Sequence, residues 1–218
     1  MVVKKILKAC RKVRAVSDLS ALYTLWRDAS YLQEVGFFES YFQRMPVDRA
    51  SRALPWLTYA AIAFLEDRIR ADMSVFEFGS GGSTLWWSQR VARVVSCEHD
   101  SRWYELMKPR LSPEVEYLYY DLEPGGDYSK AVCRYSREFD IILIDGRDRV
   151  NCAINSLPAL KPAGVIIWDN SDRERYRQGC DHLAACGFKR LDFGGFGPIS
   201  ASRSCTSVFY RLGNCLGI

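Results

Sequence analysis

Several features that identify common classes of protein are missing from this chain of 218 residues. No apolar run approaches the roughly 18 residues that a transmembrane helix needs, so a membrane-spanning protein is not expected. Only two histidines are present, His99 and His182, and a histidine-based catalytic triad or a zinc hydrolase is hard to build from so few. The formal net charge of +4 is mild, so we expect no nucleic-acid partner.

The eight cysteines include no Cys-x-x-Cys pair. Zinc and thiol redox motifs depend on such spacing, and a secretory signal would need an apolar stretch that does not follow the basic N-terminus. Buried, reduced cysteines in a cytoplasmic protein are therefore expected. The composition is otherwise that of an ordinary globular protein, and the length predicts a single domain over residues 1–218.

Positive charge is concentrated near the N-terminus. The basic residues that precede the first acid, Asp18, are Lys4, Lys5, Lys8, Arg11, Lys12 and Arg14. Two interpretations stay open: these residues form the solvated face of a helix, or they contact an anionic membrane surface or a phosphorylated partner. The second interpretation would make a cytoplasmic protein peripheral to the membrane.

Hydrophobic periodicity divides the chain at about residue 70. Residues 1–70 have apolar positions at helical spacing and predict an N-terminal helical extension or lid, whereas strands and helices alternate in a core over 71–212. The predicted strands are 74–78, 94–98, 115–120, 140–145, 164–169, 188–194 and 205–211, and the predicted core helices are 83–91, 101–110, 150–160 and 173–186. This alternation indicates an α/β fold with a parallel sheet and helices on both faces. The Gly/Ser-rich loop before the last strand predicts an antiparallel hairpin at the sheet edge.

The first predicted strand ends in a glycine-rich turn. The turn reads Gly79-Ser80-Gly81-Gly82-Ser83-Thr84, and the second strand ends on Glu98. Strand, glycine turn, helix, strand and acid is the order of a nucleotide-binding βαβ unit. No lysine follows the glycines, which excludes a P-loop, and a threonine stands where a dinucleotide-binding turn has its third glycine.

The string E-x-G-x-G-x-S, which begins at Glu77, resembles motif I of the class I S-adenosylmethionine-dependent methyltransferases. The resemblance extends over about residues 55–211 and implies a Rossmann-like seven-stranded sheet of order 3-2-1-4-5-7-6 with an antiparallel seventh strand. It implies that the turn holds S-adenosylmethionine, that Glu77 receives its α-ammonium group and that Glu98 accepts hydrogen bonds from its ribose. The implied cofactor-binding residues are Glu77, Gly79, Ser80, Gly81, Gly82, Ser83, Thr84, Glu98, His99, Asp121 and Asp145.

Acids also stand at the ends of later predicted strands. In the resembling family, the position of Asp121 often contacts the adenine amino group and the position of Asp145 lies beside the transferred methyl group. Ligands of open α/β sheets bind at the carboxyl ends of the strands, so we expect these acids to meet at one site. The candidate catalytic residues are Asp145, Asp148 and Asp169.

Asp145, Asp169 and Asn170 are similar to the metal-binding set of the catechol-type O-methyltransferases, in which three oxygen ligands hold Mg²⁺. The resemblance breaks at Asp148, because that family has a lysine base at this position. Two alternatives stay open for the first three residues: they bind Mg²⁺, or Asp145 contacts the cofactor or acceptor directly and the other two form a strand-end turn. Asp148 is either a base or the partner of a neighbouring arginine.

Together these patterns predict an S-adenosylmethionine-dependent methyltransferase that O-methylates a small molecule or a glycan hydroxyl. The alternatives are a non-catalytic S-adenosylmethionine-binding protein on the same fold and, disfavoured by the missing Tyr-x-x-x-Lys motif, an NAD(P)-dependent oxidoreductase. The arginines that flank the predicted mouth of the site are Arg147, Arg149, Arg173 and Arg175, which either bind an anionic acceptor or lie on the surface. Trp56 and Tyr59 either stack on a ring of the acceptor or pack against the fold. The sequence does not predict the oligomeric state.

Overall fold

The computed structural model describes residues 14–27 and 29–218. The basic residues from Lys4 to Lys12, whose membrane contact is one of the open interpretations, lie outside these ranges. The N-terminal part contains the short helices α1 (Arg14–Trp26), α2 (Tyr31–Glu34) and α3 (Phe37–Gln43). Among the described residues, no helix combines the length and the apolar character that crossing a bilayer requires.

Seven strands of the described chain form one sheet in the order β3-β2-β1-β4-β5-β7-β6. The strands are β1 (Ser74–Phe78), β2 (Arg93–Glu98), β3 (Glu116–Tyr119), β4 (Phe139–Ile144), β5 (Leu160–Asp169), β6 (Lys189–Gly195) and β7 (Ser204–Tyr210). Strands β1 to β5 are parallel to one another, and β7 runs antiparallel to both β5 and β6. The predicted fold class, the strand order and the antiparallel hairpin are therefore confirmed.

Helices cover both faces of the sheet. They are α4 (Tyr59–Glu66), α5 (Gly82–Ser88), α6 (Ser101–Met107), α7 (Asp127–Lys130), α8 (Arg149–Ser156) and α9 (Arg177–Ala185). Strand β1 shows why two layers form, because successive side chains of a strand point to opposite faces. Phe76 and Phe78 pack into one apolar cluster, whereas Val75 packs into the other with Trp86. Glu77 is the polar exception within this buried strand.

Helix bounds differ from the predicted ones mainly where turns adjoin a helix. The predicted helix 101–110 is α6 followed by a 3₁₀ turn at Lys108–Arg110, because Pro109 has no N–H to continue the α-helical pattern. The predicted helix 173–186 is a 3₁₀ turn at Glu174–Tyr176 followed by α9. Helix α7 is missing from the prediction, since four residues are too few to show a helical period.

The segment 47–58 connects the N-terminal helices to the core and packs on two of its loops. The Leu54 carbonyl occupies the position that a Cβ on Gly82 would need. The Leu57 carbonyl likewise occupies the position that a Cβ on Gly197 would need. The backbone N–H of Thr58 donates to the hydroxyl of Thr206 on β7 at 3.1 Å. This segment therefore runs from the glycine turn after β1 to the β6–β7 loop.

Candidate functional site

A cavity of about 810 Å³ opens at the carboxyl ends of β1, β2, β4 and β5. Binding sites for small molecules have volumes of roughly 300–1,000 Å³, so it is large enough for a nucleoside ligand and a second molecule. The sequence-predicted residues that line it are Gly79, Ser80, Ser83, Glu98, His99, Asp145, Asp169 and Asn170. The expectation that the strand-end acids meet holds for Glu98, Asp145 and Asp169.

The backbone of the glycine turn bends sharply at the end of β1. Gly79 has a φ of +92°, in the left-handed region that favours glycine, and a Cβ at this residue would lie 3.1 Å from the backbone of Gly146. The loops after β1 and β4 therefore approach each other backbone to backbone. Gly146 in turn packs against the hydroxyl of Tyr128, so α7 supports the floor of the cavity.

Glu98 ends β2 and places its carboxylate in the cavity wall, with 3% of the residue exposed. Oε2 accepts hydrogen bonds from the backbone N–H and the hydroxyl of Ser80, at 3.0 and 2.8 Å. Oε1 accepts from the backbone N–H groups of His99 and Asp100, at 2.7 and 3.0 Å. Burial raises the pKa of Glu98, but the hydrogen bonds from His99, Asp100 and Ser80 outweigh it and hold the pKa below its ordinary value. The carboxylate is therefore ionised at neutral pH.

The hydroxyl of Ser80 has two partners. Besides its contact with Glu98, it lies 2.7 Å from the hydroxyl of Tyr117. A ligand hydroxyl that approaches Oε2 of Glu98 competes with Ser80 for the same oxygen. Ser80 can then keep its hydrogen bond with Tyr117, so the carboxylate can accept a new donor without leaving a buried hydroxyl unpaired.

Glu77 lies beneath the glycine turn and is fully buried. Its Oε2 accepts hydrogen bonds from the hydroxyls of Thr84 at 2.5 Å and Ser96 at 3.1 Å, and the Thr84 hydroxyl also accepts from the N–H of Gly81 at 3.0 Å. Within the described part of the chain, Oε1 of Glu77 has no hydrogen-bond partner. Burial raises the pKa of Glu77 to about 7, although neighbouring hydroxyls lower it. Glu77 therefore supports the turn from below the cavity wall.

We expect Glu77→Gln to stabilise the ligand-free protein at about pH 8 by up to about 3 kcal/mol, since one pKa unit corresponds to about 1.4 kcal/mol. The pKa is raised from 4.5 to about 7 in the folded state, so the folded state binds the proton more strongly than the unfolded state does. Stability is therefore lost as the pH rises from about 4.5 through about 7, and glutamine removes this loss because it does not ionise. Thermal unfolding at about pH 5 and about pH 8 measures the effect.

Glu105→Gln is the matched control for this prediction, because Glu105 is an exposed acid on α6. The control should unfold like the wild type at both pH values. The Glu77→Gln variant should gain much more stability at the higher pH than at the lower one. An equal gain at both would show that packing around the side chain, and not its ionisation, limits stability.

Arg149, the first residue of α8, joins the ends of β4 and β5. It is buried, and its guanidinium donates to the carbonyls of Gly146 at 2.9 Å, of Asp145 at 2.7 Å and of Asp169. It also donates to Oδ1 of Asp145 at 2.9 Å and lies 3.7 Å from Oδ2 of Asp169. The hydroxyl of Thr206 donates to the other oxygen of Asp169 at 2.9 Å. One buried cation therefore serves two carboxylates.

The two acids differ in access. Burial raises the pKa of Asp145 well above its ordinary value, and the charge of Asp169 adds to the rise while Arg149 opposes it. Burial also raises the pKa of Asp169, against the lowering effects of Arg149 and Thr206. The Asp145 side chain is 23% exposed and the Asp169 side chain 6%. Asp145 is therefore the acid that a ligand in the cavity can reach.

The structure does not support the predicted magnesium site. The guanidinium of Arg149 contacts both Asp145 and Asp169 and occupies the position that a shared cation would need. Asn170, the third predicted ligand, donates its side-chain amide to the hydroxyl of Ser204 at 2.9 Å. In the ranges that the structure describes, no group of three or more His, Cys, Asp or Glu residues could hold a metal ion. The positive charge between the two acids is supplied by an arginine instead.

Two of the predicted acids that follow the glycine turn, Asp148 and Asp121, lie outside the cavity wall. Asp148 accepts hydrogen bonds from the N–H of Gly125 and the amide of Asn151, both at 2.8 Å, and it lines a separate, smaller hollow. One oxygen holds the connection between β3 and β4 and the other holds the first turn of α8, which does not suit a base. Asp121 follows β3 by two residues, is exposed and accepts from the hydroxyl of Tyr119 at 2.5 Å. The geometry does not support their predicted roles as base and adenine contact.

Trp103 is a cavity residue that the sequence reasoning missed. Its indole Nε1 donates to the carbonyl of Ser80 at 2.9 Å, and 39% of the residue is exposed beside the glycine turn. A flat aromatic face in this position suits an adenine ring. Its position in the sequence could have identified it, because the first turn of the helix after Glu98 lies at the carboxyl edge of the sheet.

The strand order, the antiparallel last strand and the cavity at the glycine turn define the Rossmann-like fold of the class I methyltransferases. Similar solved structures include a methyltransferase-like protein from Silicibacter pomeroyi, which is 23% identical, covers 73% of this chain and 90% of its own, and has a TM-score of 0.53. A precorrin-6y C5,15-methyltransferase from Geobacter metallireducens is 12% identical over 70% of this chain and 87% of its own, with a TM-score of 0.50.

A spermidine synthase in complex with the transition state analogue AdoDATO is 18% identical over 66% of this chain and 55% of its own, with a TM-score of 0.50. No family model matches the chain, and no curated protein matches it. At these identities the likeness shows the fold. Function therefore has to be argued from the residues of the cavity.

Proposed function

We propose that this chain is an S-adenosylmethionine-dependent methyltransferase that methylates a hydroxyl oxygen of a small molecule or a glycan. The observation that carries the proposal is the ionised carboxylate of Glu98 in the cavity wall, 3.0 Å from the backbone nitrogen of Ser80 in the glycine turn. An acid at the end of the second strand suits a ribose, and a turn without a phosphate-binding lysine suits a ligand that has no pyrophosphate.

The residues present fit the parts of this methyl donor. Glu98 offers a charged acceptor for the ribose hydroxyls, and the face of Trp103 suits the adenine ring. Gly79 has no side chain, so the turn leaves room for the amino acid tail. Oε1 of Glu77 is a buried acceptor without a partner in the described structure, but Glu77 lies beneath the turn and does not line the cavity, so its role toward the α-ammonium group stays a prediction.

When bound, S-adenosylmethionine supplies a methyl group on a sulfonium: the C–S bond breaks with its electron pair passing to sulfur while the acceptor oxygen forms the new C–O bond. Asp145 takes the proton that the acceptor hydroxyl loses and releases it to solvent. Burial raises its pKa, and a carboxylate with a raised pKa is a stronger base. Arg149 holds Asp145 in place through the 2.9 Å contact with Oδ1, and Asp169 is a positioning residue that acts through Arg149.

Calorimetric titration tests the cofactor part of the proposal. We expect saturable binding of S-adenosylhomocysteine and no binding of NAD⁺ or NADP⁺ at the same concentrations. Binding of NAD⁺ or NADP⁺ without binding of S-adenosylhomocysteine would favour the oxidoreductase and overturn the proposal.

Transfer of a radiolabelled methyl group from S-adenosylmethionine tests the catalytic part. The acceptors to use are 3,4-dihydroxybenzoate, glucuronate and glucose 6-phosphate, each of which carries hydroxyl groups. Asp145→Asn should bind S-adenosylhomocysteine and lose transfer, because the amide cannot take the proton. Cofactor binding without transfer to any acceptor would favour the non-catalytic binding protein.

Ser80→Ala is expected to change the affinity for S-adenosylhomocysteine by less than about fivefold, the size of one net neutral hydrogen bond. The variant loses a neighbour of the ligand, but it also removes the hydroxyl that competes with the ribose for Glu98. The same titration measures the effect. Loss of binding as large as that expected for a Glu98 variant would show that the Ser80 hydroxyl itself holds the ligand.

Neither added magnesium ions nor EDTA is expected to change cofactor binding or methyl transfer. Arg149 already supplies the positive charge between Asp145 and Asp169, so these acids have no further need of a divalent ion. Titrations and transfer assays in MgCl₂ and in EDTA measure this. A loss of transfer in EDTA that magnesium restores would contradict the assignment of Arg149 as the counter-charge.

A further inference from the structure

Three arginines line the part of the cavity that lies beyond Asp145 from the glycine turn. Arg147 follows β4, Arg173 follows β5 and Arg203 belongs to the β6–β7 loop, and all three are exposed. They therefore come from three different loops that meet over the same opening. One acid, Asp172, also lines this end. The three arginines outnumber this one acid, so the surface at this end carries a net positive charge.

The side chains of these arginines form no hydrogen bond or salt bridge with any residue that the structure describes, although the charge of Arg173 acts on Asp169. Arginines elsewhere on the fold behave differently. Arg52 pairs with Asp48 at 2.6 Å, and Arg93 bonds to Glu138 at 2.7 Å. Guanidinium groups that converge on a cavity without protein partners are free to bind an anion, and their planar donor sets match carboxylate and phosphate oxygens.

Trp56 adds an aromatic face to the same opening. It is 52% exposed and lines the cavity, and the backbone contacts of Leu54 with Gly82 and of Leu57 with Gly197 fix the segment on either side of it. Tyr59, by contrast, is buried and packs edge-on against Phe196, with ring centroids 5.8 Å apart. Trp56 is therefore the aromatic residue of this segment that a ring of the acceptor can contact.

We propose that the methyl acceptor is a hydroxylated ring compound that carries a carboxylate or a phosphate group, which Arg147, Arg173 and Arg203 bind while Trp56 contacts the ring. This inference rests on the proposed methyltransferase function and names its substrate class. The anionic group holds the acceptor at the open end of the cavity. Its hydroxyl then faces Asp145, toward the methyl donor at the glycine turn.

Calorimetry on the protein saturated with S-adenosylhomocysteine tests this proposal with matched probes. Glucuronate and glucose 6-phosphate are compared with glucose, and 3,4-dihydroxybenzoate with catechol, so that the arms separate carboxylate from phosphate. We expect at least one anionic probe to bind about tenfold or more tighter than its neutral partner, since hydrogen bonds to charged groups are the stronger ones. This binding should weaken as the salt concentration rises.

Replacement of each arginine by glutamine should remove part of this difference in affinity, and the triple variant should bind the anionic probe no better than the neutral probe. Arg175→Gln is the matched control, because Arg175 lies in the same loop, outside this cavity and over the ring of Tyr176. Trp56→Leu should weaken the ring-containing probes and leave inorganic phosphate unaffected.

The proposal is overturned if no anionic probe binds, if neutral and anionic partners bind equally, or if anion binding survives in the triple variant. The triple variant must still bind S-adenosylhomocysteine like the wild type, because the side chains of the three arginines form no hydrogen bond or salt bridge with the glycine turn or Glu98 in the described structure. If the anionic probes fail these comparisons while S-adenosylhomocysteine still binds, only the proposed class of acceptor is overturned. Failure of the wild type to bind S-adenosylhomocysteine overturns the proposed function itself.

Discussion

Replacing Glu98 with glutamine is expected to lower the affinity for S-adenosylhomocysteine by about 100-fold or more, because hydrogen bonds to a charged group contribute about 1.5–3 kcal/mol each and two ribose hydroxyls are involved. The protein itself adds to the effect. Both carboxylate oxygens of Glu98 accept from backbone N–H groups, those of Ser80, His99 and Asp100. Either orientation of the glutamine amide places an NH₂ group against one of these donors. Calorimetry with S-adenosylhomocysteine measures the loss.

Glu105→Gln is the control for this substitution, since it removes the same charge from an exposed position on α6 and should leave the affinity unchanged. Circular dichroism shows whether the Glu98→Gln variant is folded when it is titrated. Glu98→Asp keeps the charge and withdraws it from the wall by one methylene, so its affinity should fall between those of the wild type and the glutamine variant. A folded Glu98→Gln variant that binds like the wild type would show that the ribose is held elsewhere.

The sheet and the cofactor end of the cavity could be predicted because both depend on local patterns. Short apolar runs such as 141–144 predict strands that are buried on both faces. The parallel arrangement then brings the residues that follow such strands to one edge. Glu98 and Asp145 follow directly from this rule. Gly79 follows as well, since a chain that turns between two closely packed loops needs a residue without Cβ.

The part of the cavity that is proposed to bind the acceptor could not be predicted, and neither could the ion pairs of Arg149. Both depend on contacts between segments that are distant in the sequence. Arg149 reaches back to Asp145 and across to Asp169, which is 20 positions later, and a single sequence does not show that it turns inward when Arg147 turns outward. Asp148 was predicted by its spacing from Asp145, but a φ of +48° and its contact with Gly125 turn it away from the cavity. An acid at the right spacing is therefore a weaker signal than an acid at a strand end.

Arg149→Met is expected to lower the free energy of unfolding by about 3–5 kcal/mol at neutral pH, since removal of one partner leaves buried charges uncompensated. The guanidinium is the group that opposes the desolvation of Asp145 and Asp169, and three carbonyl oxygens lose their donor with it. Urea-induced unfolding measures the change. Arg147→Met is the matched control: Arg147 is exposed and its side chain forms no hydrogen bond or salt bridge in the described structure, so the stability of this variant should stay within about 0.5 kcal/mol of the wild type.

The pH dependence separates lost charge compensation from lost packing. The folded-state pKa values of Asp145 and Asp169 are already above their ordinary values with Arg149 in place, so protons bind more strongly in the folded state and stability falls as the pH rises above the ordinary carboxyl range. Without the guanidinium both pKa values rise further. The loss caused by Arg149→Met should therefore be greatest at about pH 8 and shrink toward about pH 5, where protonation removes the unpaired charge. A loss that is the same at both pH values would mean that Arg149 stabilises the strand ends through its carbonyl hydrogen bonds alone.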